Sequence, residues 1–280
     1  MTKLFRILSL AAALVCAAAA SAQMRPVLSA YTLEAGSSHL ADTYLSPLKY
    51  SGFALALNYE RMQAMKFDPS RWVMRMNARV GFESAQNPAR NASMLDLDLS
   101  YTWGMMRRFN FSGGWSVLAG GSTGIDGGVF YNARNSNNPA SAKCAWTVNA
   151  AAGVLYNGRL WGIPFCARYM AELPLTGVFF GPQYGELYYE IYLGDHSKLA
   201  HCAWPGNFFR LDNLATVDLR FGTTVLRLGY RCAVLSTKEA HLVTRRVTHT
   251  AVIGVASEWI SLSADRSDGG EHARVISAMY

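Results

Sequence analysis

The sequence lacks an apolar run long enough to form a membrane-spanning helix once its first residues are set aside. Lys3 and Arg6 are followed by an apolar stretch over residues 7–20 and then by small residues. This order is typical of a secretory signal peptide, so we predict that residues 1–22 are cleaved and that residues 23–280 form one folded domain. A spanning helix needs about 20 apolar residues in succession, and residues 23–280 contain no such run.

Cysteine is also scarce. Four cysteines follow the predicted signal peptide, and their spacing matches no zinc-binding pattern, so we expect no metal and no cofactor. An exported chain meets an oxidising compartment, in which Cys144 and Cys202 could form a disulfide because both lie near predicted loops. The alternative is that Cys144, Cys166, Cys202 and Cys232 are separate small apolar residues.

Linkers, internal repeats and concentrated blocks of charge are absent too. The whole chain has 26 Lys and Arg against 19 Asp and Glu, and without Lys3 and Arg6 the balance is 24 against 19, or +5. Because the basic residues are dispersed, we expect no binding of nucleic acid. The positive excess suits the anionic phosphates of lipopolysaccharide.

The chain does contain long stretches of two-residue alternation. Between Trp72 and Phe82, apolar side chains at every second position interleave with Arg75, Asn77 and Arg79. A period of two indicates strands rather than helices. The polar faces are rich in Arg and Asp and nearly free of Lys, which favours a membrane barrel with a polar interior over a soluble sandwich.

The spacing of aromatic residues agrees with a membrane barrel. Trp72 and Phe82 are ten residues apart, which gives a height of roughly 25 Å at about 3.3 Å per residue and a tilt near 40°. Trp146 and Tyr156 repeat this spacing. The Asn157-Gly158 pair after Tyr156 predicts a tight hairpin turn.

We therefore predict an all-β chain that forms a single antiparallel transmembrane β-barrel in the outer membrane, with about twelve strands and a range of ten to fourteen. Loop lengths should alternate between short and long, but a long loop over residues 194–207 and a tight turn over residues 221–223 break this order, so one strand could be miscounted. The alternative is a soluble periplasmic sandwich or cup that binds a small ligand. The candidate strands are residues 27–34, 50–62, 71–83, 94–106, 111–123, 143–157, 160–172, 184–193, 208–221, 223–235, 247–263 and 271–280.

The last candidate strand ends in the aromatic residue Tyr280. Bacterial outer-membrane barrels commonly end in this way, although His272 and Arg274 stand where that pattern usually has apolar residues. The expected partners are therefore the barrel-assembly machinery, through the strand that ends at Tyr280, together with outer-membrane lipid and lipopolysaccharide.

Alternation also assigns charged side chains of both signs to the interior. In a narrow barrel we expect them to pair and fill the space, with Arg79 opposite or diagonal to Asp98; the alternative is a narrow polar pore. The residues assigned to the interior are Glu60, Arg75, Arg79, Glu83, Asp96, Asp98, Arg168, Glu172, Glu190, Asp218, Arg220, Arg227 and Arg231.

Two polar segments are candidate ligand sites. Amides beside an arginine can bind a sugar or a phosphate, although the same residues are common in turns. Buried carboxylates beside phenols can have raised pKa values and do acid–base work, although more often they only hydrogen-bond to interior arginines. The candidate residues are Asn132, Arg134, Asn135, Asn137 and Asn138 in the first segment, and Glu186, Tyr188 and Glu190 in the second.

No catalytic constellation stands out, so we do not expect an enzyme. An outer-membrane acyl hydrolase would need a Ser and a His within hydrogen-bond reach on the lipid-facing rim. The adjacent pairs His196-Ser197 and His249-Thr250 would point to opposite faces of a strand. The alternative that remains is His249 with a Ser from a neighbouring strand.

Four segments resemble an uncharacterised family of secreted, strand-rich bacterial proteins that is defined as a domain of unknown function. They read ARNSNNPA at residues 133–140, GPQYGELYYEI at 181–191, DTYLSP at 42–47 and RLGY at 227–230. The resemblance implies an outer-membrane or envelope location and supplies no activity or ligand. The expected function is structural or solute-binding, and the alternative is a lipid-modifying barrel enzyme.

Overall fold

The computed structural model describes residues 25–135, 138–182, 184–194, 198–222, 224–259 and 277–279. The predicted signal peptide, Asn137, His196-Ser197 and Tyr280 lie outside these residues.

Eleven strands lie within the described residues. A five-residue helix, α1 (Tyr188–Tyr192), follows β7, and a single 3-10 turn precedes β5. The strands are β1 (Val27–Asp42), β2 (Tyr50–Ala64), β3 (Trp72–Gln86), β4 (Ser93–Asn110), β5 (Trp115–Asn132), β6 (Ala140–Leu160), β7 (Ile163–Phe180), β8 (Ala200–Ala203), β9 (Phe208–Phe221), β10 (Thr224–Glu239) and β11 (Leu242–Trp259).

Ten of these described strands close into an antiparallel barrel. Each strand from β1 to β7 pairs with the next, β7 pairs with β9, β9 with β10, and β10 with β11. The ring closes because β11 also pairs with β1, from Val27 opposite Trp259 to Asp42 opposite Thr244. The short β8 pairs only with the last residues of β7 and lies outside the ring. The prediction of an all-β antiparallel barrel is confirmed, whereas about twelve strands was two too many.

Residues 184–193 were wrongly predicted as a strand. Gly185 has a φ of +83°, which interrupts extended backbone, and α1 follows it. The Glu190 carboxylate accepts a hydrogen bond from the Leu187 N–H at 2.8 Å, which stabilises the start of this helix. No edge of β7 is left for this segment, because β6 occupies one edge and β8 and β9 share the other.

Without this strand, the longest connection of the barrel lies at one end. Residues 181–207 become one long connection from β7 to β9. It lies at the same end of the barrel as residues 43–49, 87–92 and 133–139 and the two-residue turn 240–241, and we call this the loop end. The opposite end, which we call the turn end, has the connections at residues 65–71, 111–114, 161–162 and 222–223.

The predicted strand 271–280 lies outside the described residues except for residues 277–279. Its described residues, 277–279, pair with no strand and instead lie inside the barrel at the turn end, where Ala278 and Met279 are buried. The terminal strand of the barrel is therefore β11.

The hairpin between β6 and β7 also differs from its prediction. Strand β6 continues past Asn157 and Gly158 to Leu160, and the turn consists of Trp161 and Gly162. Both turn residues have positive φ, 50° and 83°, as a two-residue hairpin turn requires. Asn157 stays in the strand, where its side-chain amide donates a hydrogen bond to the Met279 carbonyl at 2.9 Å.

Burial is reversed relative to a water-soluble protein. On β3, Arg75 and Arg79 are buried inside the ring, whereas Val80 and Phe82 are exposed outside it. Every strand of the ring exposes at least one large apolar side chain, and together these form a band that we call the apolar belt. Its members, one from each strand, are Tyr31, Leu57, Val80, Leu99, Ile125, Trp146, Tyr169, Val217, Leu228 and Ile253.

Aromatic pairs mark both margins of the apolar belt. Phe53 and Phe82 have ring centroids 6.2 Å apart on the side of the loop end, and Trp115 and Tyr156 have centroids 4.7 Å apart on the side of the turn end. No helix among the described residues is long and apolar enough to cross a membrane.

Candidate functional site

Glu60 lies at the centre of the interior, fully buried, and accepts hydrogen bonds from three arginines. Arg75 Nε donates to Oε1 at 2.7 Å, while Arg168 Nη2 and Arg227 Nη1 donate to Oε2 at 2.7 and 2.6 Å. Arg75 lies on the neighbouring strand β3, diagonal to Glu60, whereas Arg168 of β7 and Arg227 of β10 reach it across the interior. One carboxylate of β2 therefore ties four strands together.

Two of the three arginines bind a second carboxylate. Arg75 Nη1 lies 3.0 Å from Glu172, and Arg227 forms two hydrogen bonds of 2.7 Å with Asp218. The second is a bidentate pair, which fixes the guanidinium plane as well as its charge. We call this set the turn-side network; its members are Glu60, Arg75, Arg168, Glu172, Asp218 and Arg227.

A second set of ion pairs lies nearer the loop end. Glu34 accepts from Arg79 at 3.1 Å and from Arg231 at 2.9 Å, and Arg79 also donates to Asp98 at 2.8 Å. Asp98 lies diagonal to Arg79, because Arg79 is opposite Ser100 in the register. We call this set the loop-side network; its members are Glu34, Arg79, Asp96, Asp98, Asp212, Arg231 and Arg246.

The sequence analysis missed three members of the loop-side network. Arg246 was missed because β11 begins nearer the loop end than the candidate strand 247–263 did, whereas Glu34 was the last residue of the candidate strand 27–34 and was not assigned to the interior. Asp212 shares the parity of Asp218 along β9, so continued alternation was the signal that could have found it.

The two networks leave little open space in the interior. A cavity of about 40 Å³ lies beside Arg79, Asp98 and Arg231, and a second of about 70 Å³ lies beneath the loops of the loop end. Cavities of this size hold a few water molecules. We call the second one the mouth cavity.

Charged and aromatic side chains both line the mouth cavity. Lys143 pairs with Asp42 at 2.8 Å, and Arg210 pairs with Asp126. Phe130 is among the aromatic residues that line it. The lining thus combines apolar and aromatic surface with a few charged groups, as small-molecule sites commonly do.

Three buried carboxylates beside the mouth cavity, those of Glu83, Asp96 and Asp98, have oxygens within 4.8 Å of one another. Such oxygens are suitable ligands for a hard cation. Arg246 supplies positive charge at the same place, since its Nη1 lies 2.9 Å from Asp96 and 3.0 Å from Asp98. The negative charge of these carboxylates is thus compensated by the guanidinium of Arg246.

The structure brings the two predicted ligand segments together at the loop end, around Tyr44. The Tyr44 hydroxyl donates to the Glu186 carbonyl at 2.9 Å, and the Asn138 amide donates to the Tyr44 oxygen. Tyr188 packs edge-on against Tyr44 with centroids 5.6 Å apart, and its phenol oxygen accepts from the Ala142 N–H at 2.6 Å. Burial raises the pKa of Tyr44 and raises that of Tyr188 to about 12, so both phenols stay neutral.

The other candidate ligand residues also contact the protein itself. Asn132 donates to the Tyr50 hydroxyl at 3.0 Å and is buried, and Asn135 donates to the Leu45 carbonyl at 3.3 Å. Arg134 donates to the Asn91 carbonyl. Their role in ligand binding remains a prediction.

Of the residues assigned to the interior, Glu190 lies elsewhere and Arg220 lies at the turn-end edge of the interior. Glu190 is exposed on α1, because the strand expected there does not form. Arg220 is half-buried at the turn end and pairs with Glu258 at 3.2 Å. Among the described residues all four cysteines are free, so the Cys144–Cys202 disulfide is not present.

A histidine and a serine that the sequence analysis did not pair lie together on the outer face. His39 Nδ1 and Ser51 Oγ are 2.9 Å apart, at directly opposite positions of β1 and β2. Both are exposed beside Phe53, at the loop-end margin of the apolar belt. His249, the base considered from sequence, hydrogen-bonds Tyr230 instead.

Residues 3–266 match the family described as "Protein of unknown function (DUF3316)". The chain belongs to this family. The family resemblance inferred from the sequence is therefore confirmed, and it covers nearly the whole chain. No curated protein matches this DUF3316 member.

Several solved outer-membrane barrels are similar to it at low identity. Neisserial surface protein A is 9% identical, covering 82% of this chain and 97% of its own, with a TM-score of 0.33. The translocator domain of the autotransporter NalP from Neisseria meningitidis is 9% identical, covering 91% and 95%, with a TM-score of 0.39. The beta domain of the Bordetella autotransporter BrkA is 10% identical, covering 85% and 100%, also with a TM-score of 0.39.

Proposed function

We propose that this chain is an outer-membrane β-barrel that spans the bilayer, with a closed polar interior and an envelope structural or small-solute-binding role. The observation that carries the proposal is the reversed burial on all ten strands of the ring, with apolar side chains outside and charged ones inside. A contiguous apolar band around a whole molecule is unfavourable in water, whereas lipid covers it at no such cost.

The unequal ends suggest an orientation. Bacterial barrels have short periplasmic turns and longer external loops. We therefore place the turn end toward the periplasm and the loop end, with the mouth cavity, outside, where lipopolysaccharide is the neighbouring lipid. Because residues 277–279 do not pair in the sheet, recognition by the assembly machinery would use β11.

A planar-bilayer recording tests whether the interior is closed. We expect the purified chain to insert without conductance steps, because ion pairs cross the interior and the cavities beside them at Arg79 and at the mouth are small. Arg79→Ala should also stay silent, since the turn-side network persists. Heat-dependent mobility on a gel serves as the control for a folded barrel. Steps in the unaltered chain whose size changes in Arg79→Ala or Asp98→Ala would instead support a narrow pore.

The His39–Ser51 contact favours acyl hydrolysis as a second candidate function. A serine hydroxyl within hydrogen-bond reach of an imidazole is the arrangement of an activated nucleophile, and the margin of the belt is where lipid ester groups would lie. On this hypothesis Ser51→Ala lowers the release of fatty acid from phospholipid by about a hundredfold or more. Ser37→Ala, on the same outer face, is the control. Equal release by both variants would exclude Ser51 as the nucleophile.

A further inference from the structure

The interior changes from charged to apolar at the turn end, where residues 277–279 lie. Over most of its length the interior is charged, but at this end Met62, Met106, Leu155 and Met170 form an apolar cluster. Ala278 and Met279 belong to that cluster and are only 1% and 2% exposed. Residues 277–279 therefore lie against the part of the barrel wall whose apolar side chains can bind an apolar ligand.

Side chains of the wall hold the main chain of this segment. Arg108 Nη1 donates to the Ser277 carbonyl at 2.8 Å and to the Ala278 carbonyl at 3.2 Å. Asn157 Nδ2 donates to the Met279 carbonyl at 2.9 Å. Three successive carbonyls are thus bound from β4 and β6, by contacts that do not depend on the side chains of the segment.

The serine and the methionine add contacts of their own. The Ser277 hydroxyl hydrogen-bonds the Glu258 carboxylate and accepts from the Met279 N–H at 3.2 Å. The Met279 side chain lies in a cluster that contains three methionines of the wall, and unbranched thioether side chains adapt to irregular gaps. Bound carbonyls with an adaptable apolar pocket are how proteins commonly recognise peptides.

We propose that the turn end of the barrel is a peptide-binding site whose resident ligand is the chain's own Ser277-Ala278-Met279 segment. Its ligands are short peptides with a small residue followed by a long apolar one. Bound there, the segment closes the turn end independently of the ion pairs above it. The inference goes beyond the proposed function, because it holds whichever role the barrel has.

Thiol labelling of the full chain tests where the segment lies. In a background with every cysteine replaced by serine, Met279→Cys should react with a water-soluble maleimide at least about tenfold more slowly than Leu187→Cys, which lies exposed at the loop end. Comparable rates for the two thiols in protein that keeps its heat-dependent mobility would overturn the proposal.

Cys166 provides a second measurement, because it is fully buried, faces the interior and belongs to the same apolar cluster. With the other cysteines changed to serine, truncation after residue 276 should raise its labelling rate about tenfold or more. A synthetic peptide of residues 273–280 should restore protection, and the same peptide with Met279→Asp should not. An unchanged rate after truncation, or equal protection by both peptides, would contradict a specific site.

Discussion

Replacement of Glu60 by Gln is expected to destabilise the barrel by about 3–5 kcal/mol, because it leaves three buried guanidinium groups without their shared carboxylate. Glutamine preserves the shape of the side chain, so the loss reports charge rather than packing. Arg75 and Arg227 retain Glu172 and Asp218, whereas Glu60 is the one carboxylate that Arg168 contacts among the described ion pairs. Of the three arginines, Arg168 therefore loses the most when Glu60 is replaced.

Urea unfolding of the protein in lipid vesicles measures this effect. Arg220→Gln is the matched control, because its pair with Glu258 is half-exposed at the turn end and should contribute less than about 1 kcal/mol. Equal unfolding midpoints for Glu60→Gln and Arg220→Gln would mean that the buried network does not hold the strands together.

Leu57→Arg is expected to destabilise the membrane-embedded barrel by about 2–4 kcal/mol, the usual cost of an arginine that faces the middle of a bilayer. Leu57 is 64% exposed on the outer face of β2, within the apolar belt. An exposed leucine in a soluble protein would accept the same change within about 0.5 kcal/mol. The effect therefore separates a lipid-facing surface from a water-facing one.

Gln86→Arg is the control for this prediction. Gln86 is exposed on the outer face at the end of β3, opposite Ser51 at the loop-end margin of the belt, so an arginine there should cost no more than about 1 kcal/mol. Both variants are compared in vesicles by the same urea titration. A Leu57→Arg variant as stable as Gln86→Arg would contradict the membrane assignment.

The sequence predicts well what depends on alternation alone. Trp72 to Phe82 forms a strand with its arginines inside, and the diagonal contact of Arg79 with Asp98 follows from hairpin register. Alternation assigns a face to each residue whatever its partners are, so these features need no knowledge of the distant chain.

The errors occur where local pattern competes with tertiary context. Residues 184–193 alternate like a strand, but the edges of β7 are already paired, so the segment folds into a loop and α1. The Asn157-Gly158 pair has the composition of a turn, yet Asn157 binds the Met279 carbonyl from within β6. A short stretch of sequence shows neither which strands already occupy the edges of β7 nor a contact between residues that are 122 positions apart.

The candidate site, like the fold, was predicted in part from alternation and missed in part because it depends on tertiary context. Parity places the charges inside, but it cannot give the contacts of Arg168 and Arg227 with Glu60, because β7 and β10 come near β2 only through closure of the ring. Tyr44 was not predicted as a site residue, although it joins Asn138 to Glu186.

Spin labels on the apolar belt test most directly the central claim that this belt faces lipid. Single labels at Leu57, Leu99 and Ile253, on three strands of the ring, should be highly accessible to oxygen dissolved in the bilayer and poorly accessible to a water-soluble nickel complex, whereas a label at Gln86 should show the reverse. High nickel accessibility at all four positions would place the belt in water and contradict the account.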